Sequence, residues 1–305
     1  MTTLFDQAKL RRAADWPAVA LAVSLPWSTS ATGILAVLWI VAVLPTLDRR
    51  ALRETLLTPA GGLPVLLVAF GVAGVLWADV AWADRWNGVG SFLKLLVIPL
   101  MFVYFRGSNR GFCVFGGFLV SCVILLVVAT LGQFAPGFSF IPMNADLTFV
   151  KNAATQSGEF VICIFGMLYL AADCIERRRW LWLCGLTAAT LGMLANIVFI
   201  ATGRTALVVL PVLLVAFAIK RLSRRGVVAL TAIVVVLSGI AWTSSPYLRE
   251  RTLKAWTDYQ KYEVAGEQNS SGERLEFWSK SIGFVREAPI FGHGTGSIHA
   301  LFIAA

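Results

Sequence analysis

The sequence predicts an all-α, polytopic membrane protein that ends in a large helical loop on the outer side. Three observations predict this. Of 305 residues, 58% are hydrophobic and only 14% charged, with a mean hydropathy of +0.75; a soluble domain carries about 25% charged residues. Apolar stretches of about 15–22 residues recur, the length a helix needs to cross hydrocarbon. Finally, the cations fall in short clusters between those stretches, as the positive-inside rule produces. The net charge of +9 therefore reports topology, and nucleic acid is not an expected partner.

The elements follow in order. Lys9, Arg11 and Arg12 precede Trp16 with no small-residue cleavage site and no soluble domain behind it. This is not a cleaved signal peptide, and the N-terminus is expected in the cytoplasm. Two short spans, about 13–28 and 31–47, return the chain to a basic loop, Asp48-Arg49-Arg50-Ala51-Leu52-Arg53. A span at about 62–77 leads out to a loop with Asp79, Asp84 and Arg85; another at about 89–105 returns to Arg106 and Arg110. The fifth, about 112–134, crosses to an irregular stretch, Ala135 to Gly158. The sixth, about 159–175, ends at Glu176-Arg177-Arg178-Arg179. Apolar runs at 182–202 and 205–219 flank Arg204, the second ending at Lys220-Arg221-Leu222-Ser223-Arg224-Arg225. A ninth span, about 226–242, leads outward again. Every basic cluster then lands on one side.

The domain division expected is a bundle of about nine spans over 1–242 and an outer helical loop over 243–305. In the loop, Tyr247–Tyr262 and Arg274–Glu287 read as amphipathic helices suited to a membrane face. Gly266 to Gly272 reads as a flexible break, with Ser271 a helix cap. The tail Leu301-Phe302-Ile303-Ala304-Ala305 is too short to cross a bilayer, and a longer polypeptide is expected. Cys113, Cys122, Cys163, Cys174 and Cys184 form no Cys-x-x-Cys pair and read as buried free thiols.

Four cations lie where topology does not require them: Arg85, Lys94, Lys151 and Arg204. Snorkelling accounts for Lys94, pairing with Asp84 or Asp79 for Arg85, and solvation for Lys151, each taken alone. Arg204, in Ala-Thr-Gly-Arg-Thr-Ala, has no acidic residue close in sequence. An unpaired guanidinium at a membrane boundary points to an anionic ligand, and its planar fork suits phosphate. Several such charges would stabilise a departing diphosphate. No Asp-x-Asp, His-Glu-x-x-His, Gly-x-Ser-x-Gly or Walker-type loop is present. Gly292-His293-Gly294-Thr295-Gly296 follows no strand and reads as a tight turn rather than a nucleotide loop. His293 and His299 are the only histidines, each without a visible orienting partner.

Ala201-Thr202-Gly203-Arg204-Thr205-Ala206 resembles the short Ser/Gly-Arg motif of the O-antigen ligase family, which includes related polymerases. Gly272-Glu273-Arg274-Leu275-Glu276-Phe277-Trp278 and then Ala288-Pro289-Ile290-Phe291-Gly292-His293-Gly294-Thr295-Gly296 resemble its Arg-x-x-x-Trp and Pro-x-x-Gly-x-Gly-x-Gly pattern. Lys94 matches a Lys of an early span, and Lys151-Asn152-Ala153-Ala154-Thr155-Gln156 a polar Asn-rich loop. The resemblance implies a GT-C-like helical glycosyltransferase of the bacterial inner membrane. It implies transfer of a glycan from undecaprenyl diphosphate to lipid A–core in the periplasmic leaflet, with inversion, without metal or other cofactor. Arg204 would bind the diphosphate, with Lys94, Arg85 and Arg274 as helpers, and a base would act on the face opposite the leaving group. One departure stands out: the family's His-Asn pair after the glycine-rich turn is absent, since His299 is followed by Ala300. The base is thus expected beyond residue 305, with His299 the weaker candidate. The nearest alternative is a polymerase sharing the donor; a transporter or flippase of an anionic lipid is a third reading, although the inverted repeats it calls for are not visible.

Overall fold

The structure is a computed structural model. It describes residues 7–108, 110–134, 152–201, 203–246, 249–250, 253, 257 and 272–305. Among them every regular element is a helix. In chain order these are α1 (Gln7–Ser24), α2 (Thr29–Val43), α3 (Arg49–Leu56), α4 (Pro59–Ala73), α5 (Trp82–Leu93), α6 (Val97–Gly107), α7 (Gly111–Phe134), α8 (Ala153–Glu176), α9 (Trp180–Phe199), α10 (Arg204–Arg221), α11 (Arg224–Ser244), α12 (Gly272–Glu287) and α13 (Ile298–Ala304). Among the described residues, seven helical stretches are long and apolar enough to cross a membrane: Thr29–Thr46, Pro59–Leu76, Trp82–Arg106, Gly111–Gln133, Ala153–Glu176, Trp180–Phe199 and Arg224–Ser244. Of the other two expected spans, one is a shorter apolar helix, Ala13–Ser24, and the other is the 18-residue α10. The chain is a multi-pass, all-helical membrane protein.

Large apolar side chains on these helices point outward, among them Leu63, Leu66, Val208 and Val212. Water would reject such a surface, whereas lipid tails accept it. Two of the expected boundaries shift. The fourth span starts at Trp82, and a 3-10 turn at Lys94–Leu96 joins α5 to α6 inside it. The expected basic loop after α2 is a helix, α3, because Asp48 accepts a hydrogen bond from the Arg50 amide at 3.0 Å and caps it. Most of the amphipathic stretch Tyr247–Tyr262, the Gly266–Gly272 break up to residue 271, Lys151 and residues 135–150 before it lie outside the described residues.

The chain divides into two compact units. The first comprises Met1–Asp15, Val37–Gly111 and Ala255–Ala305; the second comprises Trp16–Ala36 and Phe112–Lys254. In the first, α3 packs on α4 and α6, and α4 packs on α5 and α6. Asp15 accepts hydrogen bonds from the Tyr104 phenol and, at 2.9 Å, from the Ser108 hydroxyl, and Tyr104 meets Trp39 edge-on. Phe302 of α13 stacks edge-on against Phe277 and Phe284 of α12.

The second unit is built on α8, which packs against α9 and α10. Its core includes Phe160, Ile164, Met193, Ile197 and Leu125, all nearly inaccessible. Apolar burial between helices gains little in lipid, so close backbone approach matters more. Gly166 accordingly lies under Phe115, and Gly192 under Leu126. The Trp27 indole N–H donates to the Ser121 hydroxyl (2.7 Å), which donates to the Val23 carbonyl (2.6 Å), tying the α1–α2 turn to α7. Cys122 and Cys163 are buried free thiols as expected, Cys174 is half-buried, and Cys113 and Cys184 are exposed, so the expected burial fails for those two, which sit on outward-facing helix positions.

One polar pair joins α8 to α9: Gln156 Nε2 donates to Asn196 Oδ1 at 3.2 Å, both side chains being buried. Replacing Gln156 alone by Leu leaves the Asn196 carbonyl without its donor. The expected loss is about 1 kcal/mol, with part recovered in Q156L/N196L, because removing both partners leaves no orphan. Thermal unfolding of the purified protein in detergent checks this; equal losses in the single and double variants would contradict it.

Candidate functional site

The first candidate locus is the α9–α10 junction, in the second unit. At the end of α9 the Asn196 carbonyl accepts from both the Ile200 and Ala201 amides, each at 2.9 Å. The Ser245 hydroxyl donates to the Val198 carbonyl at 2.9 Å, fastening the end of α11 to the same turn. The chain then runs extended through Gly203 (φ −90, ψ 124) and starts α10 at Arg204. A Cβ at Gly203 would collide with the Ser157 hydroxyl and sit 3.1 Å from the Ala154 Cα. Packing of this turn on the start of α8 thus dictates the glycine of the Gly-Arg motif, independently of any ligand.

Gly203 is also the N-cap of α10, and among the described residues no side chain caps that helix. By contrast α8, whose first turn adjoins Gly203, is capped by Asn152, which accepts from the Thr155 amide at 2.8 Å. An uncapped helix start presents N–H groups and the positive end of a helix dipole. The side chain of Arg204, the first residue of α10, lies outside the described residues, as does Thr202. Free backbone N–H groups at a helix start are donors of the kind that anions accept from. Gln156 and Asn196, beneath it, each retain one side-chain polar atom without a partner, Oε1 and Nδ2. Asn196, a lone amide inside the apolar run 182–202, was the signal in the sequence that could have drawn attention to this pair, whereas Gln156 sits in a stretch that reads as a polar loop.

The second locus belongs to the first unit, where the glycine-rich turn docks. Gly292, Gly294 and Gly296 have φ of +66, +88 and +93, values that side chains with a Cβ rarely adopt. Thr295 between them donates its amide to the Gly74 carbonyl at 3.0 Å and its hydroxyl to the Gly71 carbonyl at 2.5 Å, at the end of α4. A Cβ on Gly294 would meet the Ala78 backbone, one on Gly296 the Asp84 carbonyl, and one on Gly88 the Gly296 backbone at 2.7 Å. The tight turn expected from the glycines is present, and its use is backbone-to-backbone docking.

That docking surrounds Arg85. Its guanidinium donates to the Val80 carbonyl (Nε, 2.8 Å) and the Val75 carbonyl (Nη1, 3.0 Å) and lies 4.5 Å from the centre of the Trp82 ring. The expected pairing with Asp79 or Asp84 is not what it does: both carboxylates are exposed, and carbonyls at the loop hold the cation instead. The lone carbonyls of a terminated helix outcompete carboxylates already solvated by water. Arg85, in the first turn of α5, thus braces the connection from α4 while keeping charge there.

The remaining residues are more scattered. Lys94 is exposed in the 3-10 turn at the middle of the Trp82–Arg106 span, and none of the described residues pairs with it. Arg274 is exposed in the first turn of α12. His299 is exposed at the start of α13, whereas His293 Nε2 is 3.0 Å from the Phe284 carbonyl and 3.7 Å from a Glu287 carboxylate oxygen, bracing the turn. Arg85, Lys94, Arg274 and His299 belong to the first unit and Arg204 to the second.

Residues 189–304, from α9 into α13, match the family model described as O-antigen ligase, and the match supports assigning the chain to the O-antigen ligase family. The matched stretch holds both the Gly203-Arg204 junction and the glycine turn. No curated protein matches the chain.

Gly296→Ala is expected to destabilise by more than ~1 kcal/mol, through backbone strain plus the clash with Asp84. Gly292→Ala, strained but with open space around it, should lose less. Thermal unfolding of the two variants side by side reads the difference, and parity between them would refute the docking role.

Proposed function

We propose that the chain is an O-antigen ligase, transferring a polysaccharide from undecaprenyl diphosphate to lipid A–core in the periplasmic leaflet of the inner membrane. The N-terminus is cytoplasmic, and the reaction inverts the anomeric centre without a metal. One observation supports this above the rest: α10 starts uncapped at Gly203-Arg204, inside the stretch that matches the family. A helix start and a guanidinium together favour a multiply charged anion, and the leaving group of this reaction is a diphosphate.

Arg204 binds that diphosphate and stabilises the charge it gains as the glycosidic bond breaks. On the family resemblance alone, Lys94, Arg85 and Arg274 serve as further cations for the donor. Of these, Arg85 has two donors already engaged by carbonyls, so its contribution is field rather than a bidentate grip. His299, exposed, is the candidate base among the described residues. A polymerase shares the donor chemistry; the cellular glycan separates the two. Loss of a ligase leaves long lipid-linked glycan unattached, whereas loss of a polymerase leaves single units attached.

Arg204→Ala should abolish glycan attachment to lipid A–core in cells, with the protein still present and folded in the membrane. A loss of two or more orders of magnitude is expected for a charge acting on the transition state, ~3 kcal/mol or more. Arg85→Lys keeps the field and should retain most activity. Unimpaired attachment by the R204A variant would refute the proposal.

A further inference from the structure

Along α12, Leu275, Trp278, Ile282 and Val285 recur at three- and four-residue steps and so form one apolar stripe. All four are exposed, Trp278 by 73% and Val285 by 64%. The edge-on contacts with Phe302 of α13 come from another face, from Phe277 and Phe284. Trp278, Ile282 and Val285, with Ser281 and Arg286, line a shallow groove along the stripe.

The charges of α12 are sorted about that stripe. At ~100° of rotation per residue, Arg274 and Arg286 fall about 60° to either side of its centre, whereas Glu273, Glu276 and Glu287 cluster on the opposite half. Lys280 lies among those carboxylates and pairs with Glu276 at 2.7 Å. Cations beside an apolar face, with carboxylates turned away, suit a helix whose face sinks between lipids. The arginine stems then lie along apolar surface while the guanidinium groups stay with the phosphates. Sixteen residues carrying six ionisable side chains cannot instead cross the hydrocarbon.

The rest of the first unit holds this hairpin at the depth such a helix needs. Its glycine turn bonds to the end of α4 through Thr295 and abuts the start of α5 at Asp84. Around that joint Trp77, Trp82 and Trp86 are exposed, and tryptophan concentrates where membrane meets water. Phe70, exposed on α4, meets Trp77 edge-on at 6.0 Å, and Trp77 meets Phe291 of the turn at 6.1 Å. An aromatic row thus runs from the span onto the turn. His293 Nε2, 3.0 Å from the Phe284 carbonyl, ties the last turns of α12 to the same level.

We infer that α12 lies flat in the head-group layer of the leaflet at that end of the spans, its Leu275–Val285 stripe against acyl chains and Arg274 and Arg286 at the level of the lipid phosphates. The inference needs only that the protein is membrane-embedded, so it stands or falls separately from the glycosyl-transfer reading.

The test introduces a benzophenone side chain at Leu275, Ile282 or Val285, and for comparison at Glu276 or Glu287. The full chain is held in nanodiscs of phosphatidylglycerol and phosphatidylethanolamine. After ultraviolet irradiation, intact-protein mass spectrometry counts lipid adducts, with Val212, exposed on α10, as the reference. Yields at 275, 282 and 285 should approach that at Val212 and exceed those at 276 and 287 several-fold. The three exposed positions are independent, so two carry the test if one variant does not fold. Adducts confined to residue 285 would mean a helix standing away from the membrane, and crosslinks to protein in place of lipid would mean a second copy on the stripe. Either result, equal yields on the two faces, or background yields at all three positions would overturn the inference.

Discussion

A peptide group in hydrocarbon has no water to bond, and that constraint shapes every part of this chain. The backbone must satisfy itself, so the described spans are helices and their irregular joints lie at helix ends. Where a joint is buried, a neighbouring group completes it. Asn196's carbonyl takes two amides, Ser245 answers Val198, and Thr295 answers Gly71 and Gly74. Such bonds are individually modest, yet leaving one unmade costs about 1–3 kcal/mol.

The same environment changes the meaning of glycine. Burying more apolar surface between two helices gains little when lipid is the alternative, so close approach of backbones becomes the resource. Gly203 on Ser157, Gly294 on Ala78 and Gly296 on Asp84 are all contacts that a methyl group would prevent. In a soluble nucleotide-binding protein a glycine-rich turn leaves room for phosphate. Here the Gly292–Gly296 turn leaves room for the protein's own backbone, at Ala78 and at the start of α5, which carries Arg85.

Electrostatics then separates cations that resemble each other in sequence. Arg85 is held by two carbonyls and an indole face. Arg106 shares a carboxylate with Arg50, and Arg177 pairs with Asp173 one turn away. Arg204 is the first residue of α10, whose N-cap Gly203 makes no side-chain cap bond. A residue's surroundings, rather than its identity, decide what a cation does.

Much of this was legible in the sequence because hydrocarbon imposes length and composition on each span. Apolar runs and basic clusters sufficed for an all-helical membrane bundle, and the Gly-Arg and glycine-turn motifs led to the family that the 189–304 match supports. Local cues also existed for α3, whose Asp48 is a good N-cap, although its cations make it look like a loop. Long-range choices were not legible, since residues 71 and 295, or 156 and 196, meet only after the helices pack. The sequence by itself determined which stretches enter the membrane, because transfer free energy is a sum over residues along the chain. Only the tertiary structure decided what each polar group bonds there, because a hydrogen bond depends on a few tenths of an ångström between elements far apart in sequence.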